Sequence, residues 1–233
     1  AEKMRAAAQG RHQMLFEGPE LRDYDNVVSL NAAYLSAIRK GRNAGLECAA
    51  GPLVARLAGL DERQASRLAE TPFLLFSFRE CDDGYWDHLL GDAVPGDLFQ
   101  RMPPPDLAML TSAALGFIWQ LANRNPYALR LFCGATLYWC ERIGELTFYR
   151  LLNAVRCVGD VPVLRLAGNQ GLWRKLLDEG TSRDTRLRQA AQFAALQTVL
   201  TDPSDNGQVM PLRLAARRSK APGLSVADNT RRR

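Results

Sequence analysis

Few residues in this chain could do chemistry, and they are widely separated. Its two histidines, His12 and His88, lie far apart, and its five cysteines run from Cys48 to Cys157 without a Cys-x-x-Cys pair. A structural zinc site needs about four clustered nitrogen or sulfur ligands, so no metal site is predicted. Nucleophilic catalysis by serine or cysteine needs a base beside the nucleophile, and the sequence sets no such pair together. We therefore expect no catalytic residues and no cofactor.

The short motifs typical of enzymes are also missing. The chain has no glycine-rich phosphate loop, no Gly-x-Ser-x-Gly and no His-Glu-x-x-His. Asp82 and Asp83 could in principle bind Mg²⁺, but adjacent carboxylates in a glycine-containing turn are usually solvated. Cys133 and Cys140 are seven residues apart, as on one face of a helix, and we interpret them as small apolar core residues of a reducing compartment. An enzyme is the less favoured class.

The positive charge is concentrated at the C-terminal end. The formal net charge is +5, and the segment 203–233 alone accounts for it. Its composition predicts a basic disordered tail over 201–233. Affinity of such an arm for DNA comes from counterion release and does not depend on sequence; solubilisation is the alternative role. The tail residues predicted to contact DNA are Arg213, Arg217, Arg218 and Lys220.

The elements that would position these residues are mostly helices. Apolar residues at helical spacing predict helices over 24–42, 51–60, 61–71, 106–122, 125–142, 145–158, 170–179 and 184–200. Asp61 with Gln64 predicts a capping box, and Asn125-Pro126 predicts a helix start. The aromatic run 73–78 predicts a strand, and a short element between Pro162 and 171 could be extended. The expected fold class is mainly α, helical, with one short strand near 73–79 and two helical subdomains.

Two proline-containing segments divide the chain. Pro95-Gly96 and the three prolines at 103–105 predict a connector over 95–105. We expect an N-terminal arm over 1–23, an assembly domain over 24–94, a second helical domain over 106–200 and the basic tail. No secretory signal opens the chain, and the most apolar stretch, 107–122, is short for a membrane span. A cytoplasmic protein without membrane contact is therefore predicted.

Two groups of polar residues are candidates for DNA contact within the helices. The segment 141–156 reads as helix, glycine turn and helix, and Arg150, Asn153 and Arg156 share one face of its second helix. A helix-turn-helix places such residues in the major groove. Arg63 and Arg67, four residues apart, could line a phosphate backbone. An ordinary helical hairpin with solvated arginines is the alternative for the segment 141–156. A solvated helix face is the alternative for Arg63 and Arg67.

The segment 57–79 resembles the middle of FlhD, the flagellar transcriptional activator family. A helix ending Leu57-Ala-Gly-Leu60 leads to a helix with Gln64 and a terminal Leu68-Ala-Glu-Thr71, and an apolar strand ending Phe78-Arg79 follows. Upstream, Leu30-Asn31 and Tyr34-Leu35 resemble the family's first helix, and the similarity covers about 30–92. The resemblance implies a helical, oligomeric activator that works with an FlhC-like subunit on DNA or RNA polymerase.

A lone apolar strand would also leave a sticky edge, which predicts association with a second copy or a related subunit. The residues predicted to lie at that interface are Tyr34, Phe73, Leu75, Phe76 and Phe78. The rival hypothesis is a helical adaptor that binds a protein partner and never touches nucleic acid.

Overall fold

The computed structural model describes residues 18–42, 45–46, 49–91, 104–158 and 162–201. The chain is mainly helical, as predicted. In the described part its helices are α1 (Leu21–Arg39), α2 (Gly51–Ala58), α3 (Glu62–Ala69), α4 (Asp83–Leu90), α5 (Pro105–Arg124), α6 (Pro126–Cys133), α7 (Leu137–Glu145), α8 (Phe148–Val158), α9 (Gln170–Asp178) and α10 (Thr185–Thr201). Two short strands, β1 (Phe76–Ser77) and β2 (Val163–Leu164), form an antiparallel pair. No helix among the described residues combines the length and apolarity needed to cross a membrane.

Local capping signals set the helix starts where they were expected. The Asp61 carboxylate accepts from the Gln64 N–H at 2.7 Å, and the Gln64 side chain accepts from the Asp61 N–H at 3.0 Å, which confirms the capping box of α3. Asn125 caps α6 through the N–H of Ala128 at 3.0 Å, with Pro126 in the first turn. These starts depend on residues three positions apart, so the sequence alone identifies them.

The single helix predicted over 125–142 is wrong, because Gly134 ends α6. This glycine adopts φ +66°, and a Cβ there would lie 2.6 Å from the carbonyl oxygen of Val199. Both the conformation and the close approach of α10 exclude a side chain. The next helix, α7, starts after Thr136, whose hydroxyl accepts from the N–H of Trp139 at 3.2 Å. Cys133 and Cys140 therefore lie on different helices.

The predicted strand is present but is neither lone nor exposed. Only Phe76 and Ser77 have strand geometry, and they pair with Leu164 and Val163 respectively. The partner falls in the segment that was expected to be extended near Pro162. Because β2 covers β1, the sticky edge expected of an isolated strand does not exist here.

Asn31 fastens α1 to the chain that precedes β1. Its side-chain amide donates to the carbonyl oxygens of Ala69, Thr71 and Phe73, at 3.2, 3.4 and 2.9 Å. Its Oδ1 accepts from the N–H of Leu75 at 2.9 Å. The Asn31 side chain is fully buried. Its hydrogen bonds satisfy backbone groups between Ala69 and Leu75, a segment outside the regular strand pairing.

One hydrophobic core joins the two predicted domains. Buried residues from α1 through α10 form a single cluster, which includes residues that precede and residues that follow the proline-rich segment in sequence. Tyr24 of α1 packs edge-to-face on Phe132 of α6 at 5.1 Å, and β1 and β2 come from the two sides of the connector. The division into two subdomains stays a prediction, and the described residues on its two sides share this core. Asp23, placed in the N-terminal arm, is a buried residue of α1 that pairs with Arg124 at 2.5 Å.

A buried ion pair lies at the centre of this shared core. The Arg165 guanidinium contacts the Glu80 carboxylate at 2.9 Å, and their side chains are 6% and 1% exposed. Arg165 also donates to the carbonyl oxygens of Leu74 and Phe76, each at 2.7 Å, and to that of Cys133. One guanidinium thus joins β1, the end of α6 and the turn after β2.

Candidate nucleic-acid interface

The turn between α7 and α8 is fixed by two hydrogen bonds. It consists of Leu146 and Thr147. The predicted turn at Gly144 is wrong, because Gly144 lies inside α7. The indole N–H of Trp119, on α5, donates to the Leu146 carbonyl at 2.7 Å. The Thr147 hydroxyl accepts from the N–H of Arg150 at 3.2 Å, as a helix cap does. The start of α8 is therefore held against α5.

The apolar side of α8 determines which side chains point outward. Leu151 and Val155 are buried, and Phe148 packs against Trp119 with a ring separation of 5.8 Å. The opposite side carries Arg150, Asn153 and Arg156, and all three are exposed. The structure thus brings these three predicted residues together on one surface, which we call the α8 face. DNA binding by that face stays a prediction.

One aromatic residue of the α8 face was missed. Tyr149 is 78% exposed, beside Arg150, and it has no place in the core. The sequence indicates the exposure of Tyr149, because this residue does not lie at the helical spacing of the buried Leu151 and Val155. An exposed aromatic among arginines can contact sugar or base surfaces that guanidinium groups do not.

The electrostatic surroundings of the α8 face are mixed. The Arg150 guanidinium donates to the carbonyl oxygen of Leu90, at the end of α4, at 3.1 Å. Arg142 of α7 is neutralised by Asp87 of α4 at 2.6 Å. Among the described residues of α8, Arg156 forms no ion pair and carries an uncompensated charge. Arg156 is therefore the most available cation of this surface.

The arginines of α3 do not join this surface. Arg67 is half-buried and donates to the carbonyl oxygen of Thr181 at 2.9 Å, while its own carbonyl accepts from Gln192 at 3.1 Å. It holds α3 to the connection between α9 and α10, and its predicted role in phosphate contact stays a prediction. Arg63 is exposed. Since α3 packs on α1 whereas α8 packs on α4 and α5, the two predicted groups occupy different parts of the fold.

The five residues predicted to lie at the subunit interface are buried inside this chain, and their role in association stays a prediction. They are between 0% and 5% exposed: Tyr34, Phe73, Leu75, Phe76 and Phe78. Side chains packed inside their own chain cannot reach a second one without unfolding. Their aromatic rings contact one another instead, as the rings of Tyr34 and Phe76 do at 5.0 Å. The predicted DNA contacts of the tail, Arg213, Arg217, Arg218 and Lys220, lie outside the described residues.

The thiols that the structure describes near the core are poor nucleophiles. Burial, reinforced by Glu80, raises the pKa of the Cys133 thiol well above its ordinary value. The same two causes raise the pKa of Cys140 to about 12. A thiol held protonated at neutral pH neither attacks nor ligates efficiently. No group of three or more His, Cys, Asp or Glu residues in the described ranges is placed to hold a metal ion.

Comparisons with protein-family models, with characterised proteins and with solved structures find no match for this chain. The resemblance to FlhD therefore stays a prediction, and the function has to be argued from the surfaces described above.

Proposed function

We propose that this chain is a bacterial transcriptional regulator, an activator subunit that acts on DNA or RNA polymerase with an FlhC-like partner in the cytoplasm. The observation that carries the proposal is the α8 face, with Tyr149, Arg150, Asn153 and Arg156 exposed on the second helix of a tight helix–turn–helix unit. The basic tail would add sequence-independent affinity.

The side chains of the α8 face suit the edges of bases. Arginine can donate two hydrogen bonds to guanine, and asparagine can bond adenine in the same bidentate manner. From Arg150 to Arg156 the helix rises about 9 Å, the height of roughly three stacked base pairs. The buried Leu151 and Val155 keep the face rigid, which favours a fixed register on the duplex.

The test is duplex binding by the full chain, with and without its co-purifying partner, measured by fluorescence anisotropy over a range of salt concentrations. We expect Arg156→Ala to weaken binding, and Asn153→Ala to change the preference among duplexes. Arg174→Ala, which removes an exposed arginine from α9, is the matched control. Equal effects of Arg156→Ala and Arg174→Ala would exclude the α8 face as the interface.

The second candidate is a helical adaptor that binds a protein and no nucleic acid. Phe193 and Leu200 favour it, because they lie seven residues apart on α10 and are 62% and 37% exposed. An adaptor has no reason to show a steep salt dependence on DNA. If the chain binds no duplex even in the presence of the partner, the adaptor hypothesis would therefore be favoured over the regulator hypothesis.

A further inference from the structure

An open apolar groove of about 440 Å³ lies between α1 and α5. Its floor is made by Leu30, Leu110 and Phe117, which are core residues that each keep 5–8% exposure. Met109 stands at its rim with 71% of its surface exposed. Within the described part of the chain, nothing covers this apolar surface.

The α1 wall of the groove has short side chains at its centre and ends at Lys40, and Asp25 lies on α1 just beyond the opposite end of the groove. Ser29, Ala33 and Ser36 follow one another at helical spacing, and none has a long side chain. Asp25 precedes them by one turn and Lys40 follows them by one turn, and both are exposed. We call these five residues the α1 stripe. In the described ranges neither Asp25 nor Lys40 takes part in an ion pair.

The α1 stripe is complementary to itself. Asp25 and Lys40 are equally distant from the midpoint between Ala32 and Ala33, and so are Ser29 and Ser36. If two copies of α1 pack antiparallel about a two-fold axis at that midpoint, each Asp25 faces the partner subunit's Lys40. A two-fold interface requires this kind of self-complementary patch. The small residues between the charges let the two helix axes approach to about 8–10 Å.

We propose that the chain forms a two-fold symmetric dimer through the α1 stripe, with Met109 of each copy covering the apolar groove of the other. The occupant of the groove is thus a second copy of this chain. This surface replaces the buried residues around Tyr34 and Phe76 as the site of self-association. The proposal concerns assembly without DNA, so it stands or falls separately from the proposed regulatory function.

The experiment is sedimentation equilibrium of the full chain at low and at high salt. The unaltered chain is expected to dimerise at micromolar concentration. Asp25→Lys converts both interfacial pairs into like-charge pairs, and Lys40→Asp does the same with the opposite sign. Each single variant should weaken dimerisation on the order of tenfold at low salt, and by less at high salt because the pairs are exposed.

Mixing the two variants gives the sharpest result. In a heterodimer of an Asp25→Lys chain with a Lys40→Asp chain, both pairs again join opposite charges. The mixture should therefore associate more tightly than either variant alone, as expected if each Asp25 faces the partner subunit's Lys40. Glu141→Lys, a charge reversal at an exposed position of α7, is the control and should leave dimerisation unchanged.

Ala33→Arg is a second probe, because it places a long charged side chain in the middle of the stripe and should give a monomer with unchanged helix content by circular dichroism. A chain that stays monomeric at tens of micromolar would overturn the proposal. So would a mixture of the two charge variants that associates no better than each variant does alone.

Discussion

The substitution Arg165→Met tests whether the buried ion pair holds the shared core together. Methionine keeps an unbranched side chain of similar length but has no charge and no donor. Among the described residues, the Glu80 carboxylate would keep only the hydroxyl of Ser77 as a hydrogen-bond partner, in a site where its side chain is 1% exposed. The carbonyl oxygens of Leu74, Phe76 and Cys133 would each lose a donor.

The expected loss of stability is large on the scale of a folded domain. Removing one member of a buried ion pair costs about 3–5 kcal/mol, because the remaining charge is left unpaired. Carbonyls left without donors add roughly 1 kcal/mol or more each. The total free energy of unfolding of a typical domain is only about 5–15 kcal/mol. We therefore expect Arg165→Met to lower the free energy of unfolding by at least about 4 kcal/mol.

Urea denaturation followed by tryptophan fluorescence measures this loss. Trp173 reports on the site directly, since its indole N–H donates to the Arg165 carbonyl at 2.9 Å. Arg39→Met is the matched control: it breaks the pair with Glu62, whose side chain is 86% exposed, and should cost at most about 1 kcal/mol. Adding Glu80→Gln to Arg165→Met should recover part of the loss by removing the unpaired charge. The reasoning is refuted if Arg165→Met costs no more than Arg39→Met.

Three further predictions concern the core and its thiols. Leu68→Ala, at a fully buried position of α3, should lower the free energy of unfolding in urea by ~2–4 kcal/mol, whereas the exposed Arg63→Ala should change it by less than about 0.5 kcal/mol. Gly134→Ala should cost ~1–3 kcal/mol in the same assay, because of its positive φ and the nearby Val199 carbonyl; Gly168→Ala, with open space around it, is the control. Because burial raises the folded-state pKa of Cys140 from its ordinary value near 9 to about 12, the stability that this thiol contributes is present below pH 9 and falls as the pH rises from there toward 12. Urea titrations across that range should show a flatter decline for Cys140→Ala, and an unchanged decline would exclude Cys140 as its source.

The features that the sequence predicts well depend on neighbouring residues. The caps at Asp61 and Asn125 and the outward face of α8 follow from spacings of a few positions, and the structure has them where they were expected. The end of α6 at Gly134 depends instead on Val199, which approaches it from α10. A glycine within a helical pattern does not reveal such a distant contact. The predicted helix therefore continued past Gly134, where the observed helix ends.

The burial of candidate site residues also depends on distant parts of the chain. The guanidinium of Arg67 donates to the carbonyl oxygen of Thr181, 114 positions away. The four-residue spacing of Arg63 and Arg67 on α3 could not indicate this contact. The aromatic run around Phe76 looked exposed because its cover, β2, is remote in sequence and only two residues long. Tyr149, by contrast, could have been found, since its exposure follows from the period of α8 alone.

The ion pair between Glu80 and Arg165 also has a consequence for the order of folding. The two residues are 85 positions apart, and the intervening chain contains α4 to α8. Closing a flexible loop of that length costs roughly 4 kcal/mol of chain entropy before any contact offsets it. We therefore expect the helices to form first and the two charges to lose their water only in the last part of the folding reaction. Substitutions at Arg165 should then accelerate unfolding and leave the refolding rate nearly unchanged, as stopped-flow measurements would show.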